Sequence, residues 1–215
     1  MVDEFKMNKD KSFYNGAKRC VDIFFSTFAL ICLSPVFLAV SIAYSISKED
    51  HGSIFYQQTR MGLHGQTFKI LKFRSMVVDA DKKLEANPVL YQKYIRNNFK
   101  LPADEDPRIT KLGKWLRKTS LDEIPQFINI LRGEMSLVGP RPVVADELKQ
   151  YDDVEKLLSV KPGAMGLWQA RGRSEIGYPE RANIEMEYVD NRGLFFDFKV
   201  IIMNLINIFI QRGAY

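Results

Sequence analysis

Two adjacent carboxylates, Asp122 and Glu123, stand in the stretch TSLDEIPQ, just after KWLRK and shortly before MSLVGPRP. Arg117, Lys118, Arg132, Arg141, Arg171 and Arg173 surround the pair in sequence. Arg141 is set between two prolines, which fixes the local backbone direction and lowers the entropy lost in holding its guanidinium toward a ligand. Guanidinium groups match phosphate oxygens two at a time. Carboxylates beside such a cluster suit a divalent metal and a phosphorylated substrate, since Mg²⁺ typically takes one or two carboxylates plus phosphate oxygens. A structural ion-pair network explains the same clustering.

Helix grammar offers a plainer reading of the acidic pair. Ser120 and Glu123 have capping-box spacing, and acidic residues in a first turn are favoured by the helix dipole. Pro125 opposes that box, because its missing amide falls where a bond to the Leu121 carbonyl is due. A helix over 121–131 that begins at Asp122, with Asp122 as cap and Glu123 in the first turn, removes the conflict.

The 215 residues allow one domain with a core plus an appendage, so a single site is expected. Lys and Arg number 31 against 26 Asp and Glu, a net charge of +5, and this favours an anionic partner without choosing one. Few aromatics interleave with the arginines, which speaks against nucleic acid. The two cysteines, Cys20 and Cys32, lie in or beside an apolar run, with no ligand-spaced His or Cys nearby, so neither a disulfide scaffold nor a zinc site is expected. His51 and His64 read as loop histidines. No P-loop, no G-x-G-x-x-G and no internal repeat occurs.

From Val21 to Ile46 the chain is apolar almost throughout, with Asp22 near its entrance and Pro35 near its middle. As a straight helix it would measure roughly 39 Å, more than the ~30 Å hydrocarbon core. It is also longer than the apolar region of a signal peptide. Pro35 predicts a kink, at which the Ser34 hydroxyl can serve a released carbonyl. Lys11, Lys18 and Arg19 precede the segment and Lys48 and Arg60 follow it, so the positive-inside bias puts both flanks in the cytoplasm. Spanning and re-entrant paths both fit the length; the kink and flanks favour re-entrance. Near the other end, Phe195 to Ile210 places Asp197, Asn204, Asn207 and Gln211 on one helical face. An interfacial helix and a buried core helix are equally open there.

Between these ends, Ser53 to Thr59 and Thr67 to Met76 predict a hairpin around MGLHG, with Lys72 and Arg74 on one strand face. Those two could meet a phosphate or guard an exposed edge. Residues 79–99 read as helix, break at Pro88, helix; further helices are expected over 111–118 and 143–151, and SVKPGAMGLWQARGRS reads as loop-rich. No domain boundary is evident within residues 50–215.

The ordered motifs KRCVD, LSP, QQTRMGLHGQTFKILKFRSM, DPRIT, RKTSLDEIPQ, GEMSLVGPRP, KPGAMGLWQARGRS and RGAY resemble those of the bacterial sugar transferases. These are monotopic phosphoglycosyl transferases that begin undecaprenyl-linked glycan assembly. The likeness runs from about residue 15 to the end, and the 79–99 segment and RGAY ending are most similar to the hexose-1-phosphate branch, with UDP-galactose or UDP-glucose as donor. The long members' N-terminal transmembrane region is not seen, so a minimal catalytic form is expected.

The resemblance implies a mixed α/β (α+β) protein: a basic interfacial segment over 1–19, a re-entrant membrane helix over 20–47, and a mainly helical cytoplasmic catalytic domain over 48–215 with a small β-hairpin and amphipathic interfacial helices. It implies Asp122 as nucleophile and Glu123 as Mg²⁺ ligand, with Lys72, Arg117, Arg141 and Arg173 handling phosphate. Lys18 and Arg19 match the family's interfacial basic pair, and Ser34 and Pro35 its helix-breaking pair. Where the family commonly has Asp, this chain has Glu185 in IEMEYVD, and no catalytic role is assigned to it. Implied partners are a UDP-sugar, undecaprenyl phosphate, membrane lipids and a second copy of the chain, at the cytoplasmic face of the bacterial inner membrane, with hexose-1-phosphate transferred through an aspartyl intermediate. The rival readings are a noncatalytic membrane-anchored anion-binding module and a Mg²⁺-dependent membrane phosphohydrolase.

Overall fold

The computed structural model describes residues 2–47, 52–96, 101–102, 105–172 and 175–209. Lys48, His51, Arg173, Gln211 and the RGAY ending lie outside the described residues. The chain forms two compact units. One comprises residues 1–33, 57–70 and 126–213, the other 34–56, 71–125 and 214–215.

The first unit is built on α1 (Val2–Cys32), which packs against α6 (Gln126–Arg132) and the short strand β3 (Ser136–Val138). β3 pairs in parallel with β4 (Gly163–Met165), Ser136 opposite Gly163 and Val138 opposite Met165. Neither strand is foreseen above, because three residues are too few to display an alternation and β4 lies in a stretch whose Pro and Gly signal a turn. The close approach explains the glycine: a Cβ on Gly163 would sit 2.0 Å from the Gly139 amide nitrogen. Helices α7 (Val154–Leu158), α8 (Leu167–Arg171), α9 (Glu180–Asn191) and α10 (Leu194–Phe209) complete the unit. Ile130, Met135, Val138, Trp168, Tyr188 and Val200 form the centre of its core. Over 143–151 the expected helix is a 3-10 turn, Ala145–Gln150.

In α10 the usual amphipathic arrangement is inverted. Asp197, Asn204 and Asn207 are buried, while Phe195 is 84% exposed and Phe198, Ile202 and Ile206 are also exposed. The Asn204 amide donates to the Gly166 carbonyl at 3.1 Å and Asn207 to that of Ala170 at 2.7 Å, so this face is polar because it meets backbone carbonyls at both ends of α8, the second of them left open by the helix end. The helix thus packs one face on the core through Val200 and leaves a wide apolar face exposed. α1 follows the same rule, with Asp22 and Ser26 buried and Phe24, Phe25, Phe28 and Ile31 exposed.

Asp197 also ties the two terminal helices together. Its carboxylate accepts from Lys18 Nζ at 2.5 Å, Tyr14 OH at 2.9 Å and Tyr188 OH at 2.7 Å. Removing one partner from such a buried cluster leaves the others without compensation. Asp197→Ala is expected to cost about 3–5 kcal/mol of stability in denaturant titration, and Asp197→Asn, which keeps an acceptor, less.

The second unit opens with α2 (Ser34–Ile46), whose Phe37 meets Phe73 edge-on, with ring centroids 5.1 Å apart. The helical register breaks at Leu33, two residues before Pro35, and Pro35 falls in the first turn of α2, where a missing amide is tolerated. Among the described residues no single helix is long and apolar enough to cross a membrane; Ser12–Cys32 and Ser34–Ile46 pass on length and composition only as a pair bent by 52°. The hairpin of β1 (Phe55–Met61) and β2 (Thr67–Phe73) forms as expected; its residues 57–70 belong to the first unit and only its two ends to the second. Helices α3 (Ala80–Glu85) and α4 (Pro88–Arg96) follow as expected, Pro88 starting the second, and α5 (Lys111–Lys118) leads to the acidic pair.

Candidate active site

The second unit brings together four of the residues singled out in the sequence: Lys72, Arg117, Asp122 and Glu123. β2 supplies Lys72 on the face opposite buried Leu71 and Phe73, and its Nζ donates to Glu123 Oε1 at 2.6 Å. Past Phe73 the chain stays extended, with Met76 bridging Ile109 antiparallel and the Thr110 amide donating to the Ser75 carbonyl at 3.1 Å. The DPRIT motif proves to be scaffold. Arg108 donates through Nε and Nη2 to the two Asp106 oxygens at 2.8 Å each, both residues are buried, and the guanidinium lies 5.5 Å from the Tyr94 ring centroid.

Thr110 caps α5, its hydroxyl accepting from the Gly113 amide at 2.9 Å. One turn on, Arg117 Nε donates to Ser75 Oγ at 2.8 Å, and among the described residues its guanidinium makes no other hydrogen bond. Burial lowers the Arg117 pKa, opposed chiefly by the charge on Asp122. The terminal nitrogens thus lie in a partly desolvated place beside a carboxylate, where an added phosphate would meet little competition from water.

Ser120, at φ 56°, turns the chain from α5 into a 3-10 turn, Leu121–Glu123, closed by the Ile124 amide on the Leu121 carbonyl at 3.2 Å. The single helix expected over 121–131 is corrected here: the acidic pair occupies its own turn and α6 starts only at Gln126. Pro125 is the reason, since it cannot give the amide that a continuous helix needs.

The two carboxylates differ physically. Glu123 is paired with Lys72 and its side chain is 41% exposed. Asp122 is half-buried, and no other side chain among the described residues hydrogen-bonds its carboxylate. Burial, then the neighbouring Glu123 charge, pushes its pKa up to about 6, while Lys72 and Arg117 pull the other way. Asp122 is the less compensated carboxylate of the pair. Among the described residues no three His, Cys, Asp or Glu side chains gather at one point. The donor set therefore makes no closed metal cage; Glu123 and Asp122 would offer the hard carboxylate oxygens that Mg²⁺ takes, with Lys72 already on one Glu123 oxygen.

Arg141 belongs to the first unit. Its amide donates to Glu185 Oε2 at 2.9 Å and its guanidinium lies 5.6 Å from the Trp168 ring centroid. Glu185 is fully buried, and desolvation raises its pKa to about 7 against the pull of Arg181 and the Arg141 amide. Lys18 is engaged by Asp197, and Arg19 donates to the carbonyls of Ile130 and Leu131 at 2.6 and 2.7 Å, closing the C-terminal end of α6. Sequence reasoning missed Ser75 and Glu185 as supports of the two arginines. KFRSM gave no sign of Ser75's partner, whereas the departure from the family's usual Asp marked Glu185 without saying what it holds.

Residues 13–211 match the family model described as bacterial sugar transferase. The chain is similar to the exopolysaccharide production protein ExoY of Sinorhizobium fredii, at 45% identity over 93% of this chain and 88% of that protein. It is also 43% identical to an undecaprenyl-phosphate galactose phosphotransferase of Salmonella typhimurium, over 92% of this chain and 41% of the relative. A UDP-glucose:undecaprenyl-phosphate glucose-1-phosphate transferase of Escherichia coli is 37% identical, again over 92% and 41%.

Proposed function

Since the chain belongs to the bacterial sugar transferase family and is an enzyme of that kind, we propose that it moves a hexose-1-phosphate, galactose or glucose, from a UDP-sugar to undecaprenyl phosphate and releases UMP. The observation that carries the mechanism is a half-buried, weakly compensated Asp122 within the electrostatic reach of Arg117, whose terminal nitrogens have no protein partner among the described residues.

An Asp122 oxygen attacks the β-phosphorus of the sugar nucleotide. The bond to the bridging oxygen breaks, UMP leaves with that electron pair, and an acyl phosphate joins Asp122 to the sugar phosphate. An oxygen of the lipid phosphate then attacks the same phosphorus, and the carboxylate returns. Two anionic phosphates would repel in a direct encounter, and dividing the reaction lets each approach separately. Arg117 and Lys72 offset charge on the transferring group, and Arg141 and Arg173 are assigned the same task. Glu123 would hold Mg²⁺, which when bound supplies Lewis-acid stabilisation of phosphoryl oxygens.

We place the enzyme on the cytoplasmic face of the inner membrane. The inverted faces of α1 and α10 support this, because apolar side chains left in water gain free energy by entering the lipid boundary. The bent helix pair fits a re-entrant path on length and composition.

Purified enzyme given Mg²⁺, polyprenyl phosphate and radiolabelled UDP-sugars should carry label from UDP-galactose or UDP-glucose into the lipid phase. Sustained release of sugar phosphate into water without acceptor would favour a phosphohydrolase and sink the assignment. The pH profile is also set. Asp122 must be ionised to attack, so kcat/KM rises with pH through about 6. At pH 5 it should be about tenfold below its plateau.

A further inference from the structure

We infer that Ser75 is a positioning residue for the reaction, fixing the direction in which Arg117 presents its guanidinium. The inference rests on the reading of Arg117 as a phosphate ligand.

Arginine has five N–H donors in a planar fork. Ser75 Oγ takes the Nε donor at 2.8 Å, which turns the outer edge, with its two terminal nitrogens, away from the serine and leaves it for a ligand. Ser75 itself is held from several sides. It is buried, its carbonyl accepts from the Thr110 amide at 3.1 Å, the next residue is in the bridge to Ile109, and Gly113 of α5 packs directly on its backbone. The serine is a fixed post and the arginine a long arm.

The post matters because of what surrounds the arm. Asp122, Asp106 and Glu123 all attract the Arg117 charge. Asp106 is already held by Arg108 and Glu123 by Lys72, so an arginine with no acceptor at Nε would be drawn onto Asp122 as a two-bonded pair, the preferred geometry of such groups. Closure onto Asp122 would cover the nucleophile and use up the nitrogens meant for phosphate. Ser75 occupies the donor that such a rotation would have to release.

The test is a double-mutant cycle read by steady-state kinetics, with melting temperatures recorded for each variant. Ser75→Ala should lower kcat/KM for the UDP-sugar about tenfold, equivalent to about 1.4 kcal/mol, and Ser75→Thr, which keeps the hydroxyl, should stay within about twofold of the parent. In an Arg117→Lys background, where no Nε donor remains, Ser75→Ala should cost less than about twofold. A tenfold loss that persists in that background, or no loss in the Ser75→Ala single variant, overturns the inference. An Arg117→Lys protein with undiminished kcat/KM would fail at the earlier step, removing Arg117 from phosphate handling and Ser75's role with it.

Discussion

Asp122→Asn should leave no measurable transfer of sugar phosphate to lipid, a fall of at least about 10³-fold in kcat, because it replaces the attacking oxygen with a group that cannot form the acyl phosphate. Size and turn geometry are retained, so the loss would not come from misfolding. Stability provides the control. Asp122 has its pKa raised from 3.8 to about 6 in the folded protein, so its contribution to stability is fully present below pH 3.8 and is lost as the pH rises through about 6. A neutral amide reproduces the protonated state, and the variant should therefore melt no lower than the parent at pH 7.5. Intact-mass measurement of parent enzyme quenched with its sugar nucleotide should reveal an added hexose phosphate, and the asparagine variant none. Turnover near the parental rate would end the case for Asp122 as nucleophile.

Gly113→Ala should be the most damaging single methyl in the second unit. A Cβ there would lie 1.9 Å from the Ser75 carbonyl oxygen and under 3 Å from that residue's backbone carbons. Backbone cannot swing aside as a side-chain tip can, so α5 has to move as a whole. Arg117 rides on the next turn of α5, and its bond to Ser75 would be lost with the movement. Calorimetry should show a loss of about 3 kcal/mol or more, with kcat/KM falling alongside. Gly16→Ala gives the contrast. Nothing lies within 4 Å of its Cβ position on α1, and the substitution should be neutral or stabilise by about 0.5–1 kcal/mol through helix propensity. Equal melting temperatures for the two variants would show that the contact at Ser75 is not as close as described.

The contrast between the two glycines shows how far local signals reach. Gly113 falls in a stretch read as helix and Gly16 in one read only as a basic interfacial segment, and neither reading tells how much room a methyl would have; only the fold does. Where an expectation rested on residues a few positions apart, the structure agrees: the hairpin around MGLHG, the helices on either side of the break before Pro88, and an interrupted helix at LSP. Where a proline forbade continuity, at Pro125, the obstacle was legible and its outcome, a separate 3-10 turn, was not. The parallel β3–β4 pair escaped notice because its strands are too short for a pattern and join residues 27 apart.

By itself the sequence determined that a carboxylate pair lies within a basic region and that an apolar segment is interrupted by Ser34 and Pro35, since residue type and spacing along one helix or strand suffice for both. Tertiary structure decided which carboxylate is held by Lys72, which donor of Arg117 is spent on Ser75, and that α10 turns its polar face inward. Lys72 and Glu123 are separated by 51 positions and Ser75 and Arg117 by 42. No periodicity operates at that range. Only packing, which brings β2 and the chain beyond it against α5 and the acidic turn, gives Glu123 a cation and leaves the Asp122 carboxylate with no side-chain hydrogen bond among the described residues.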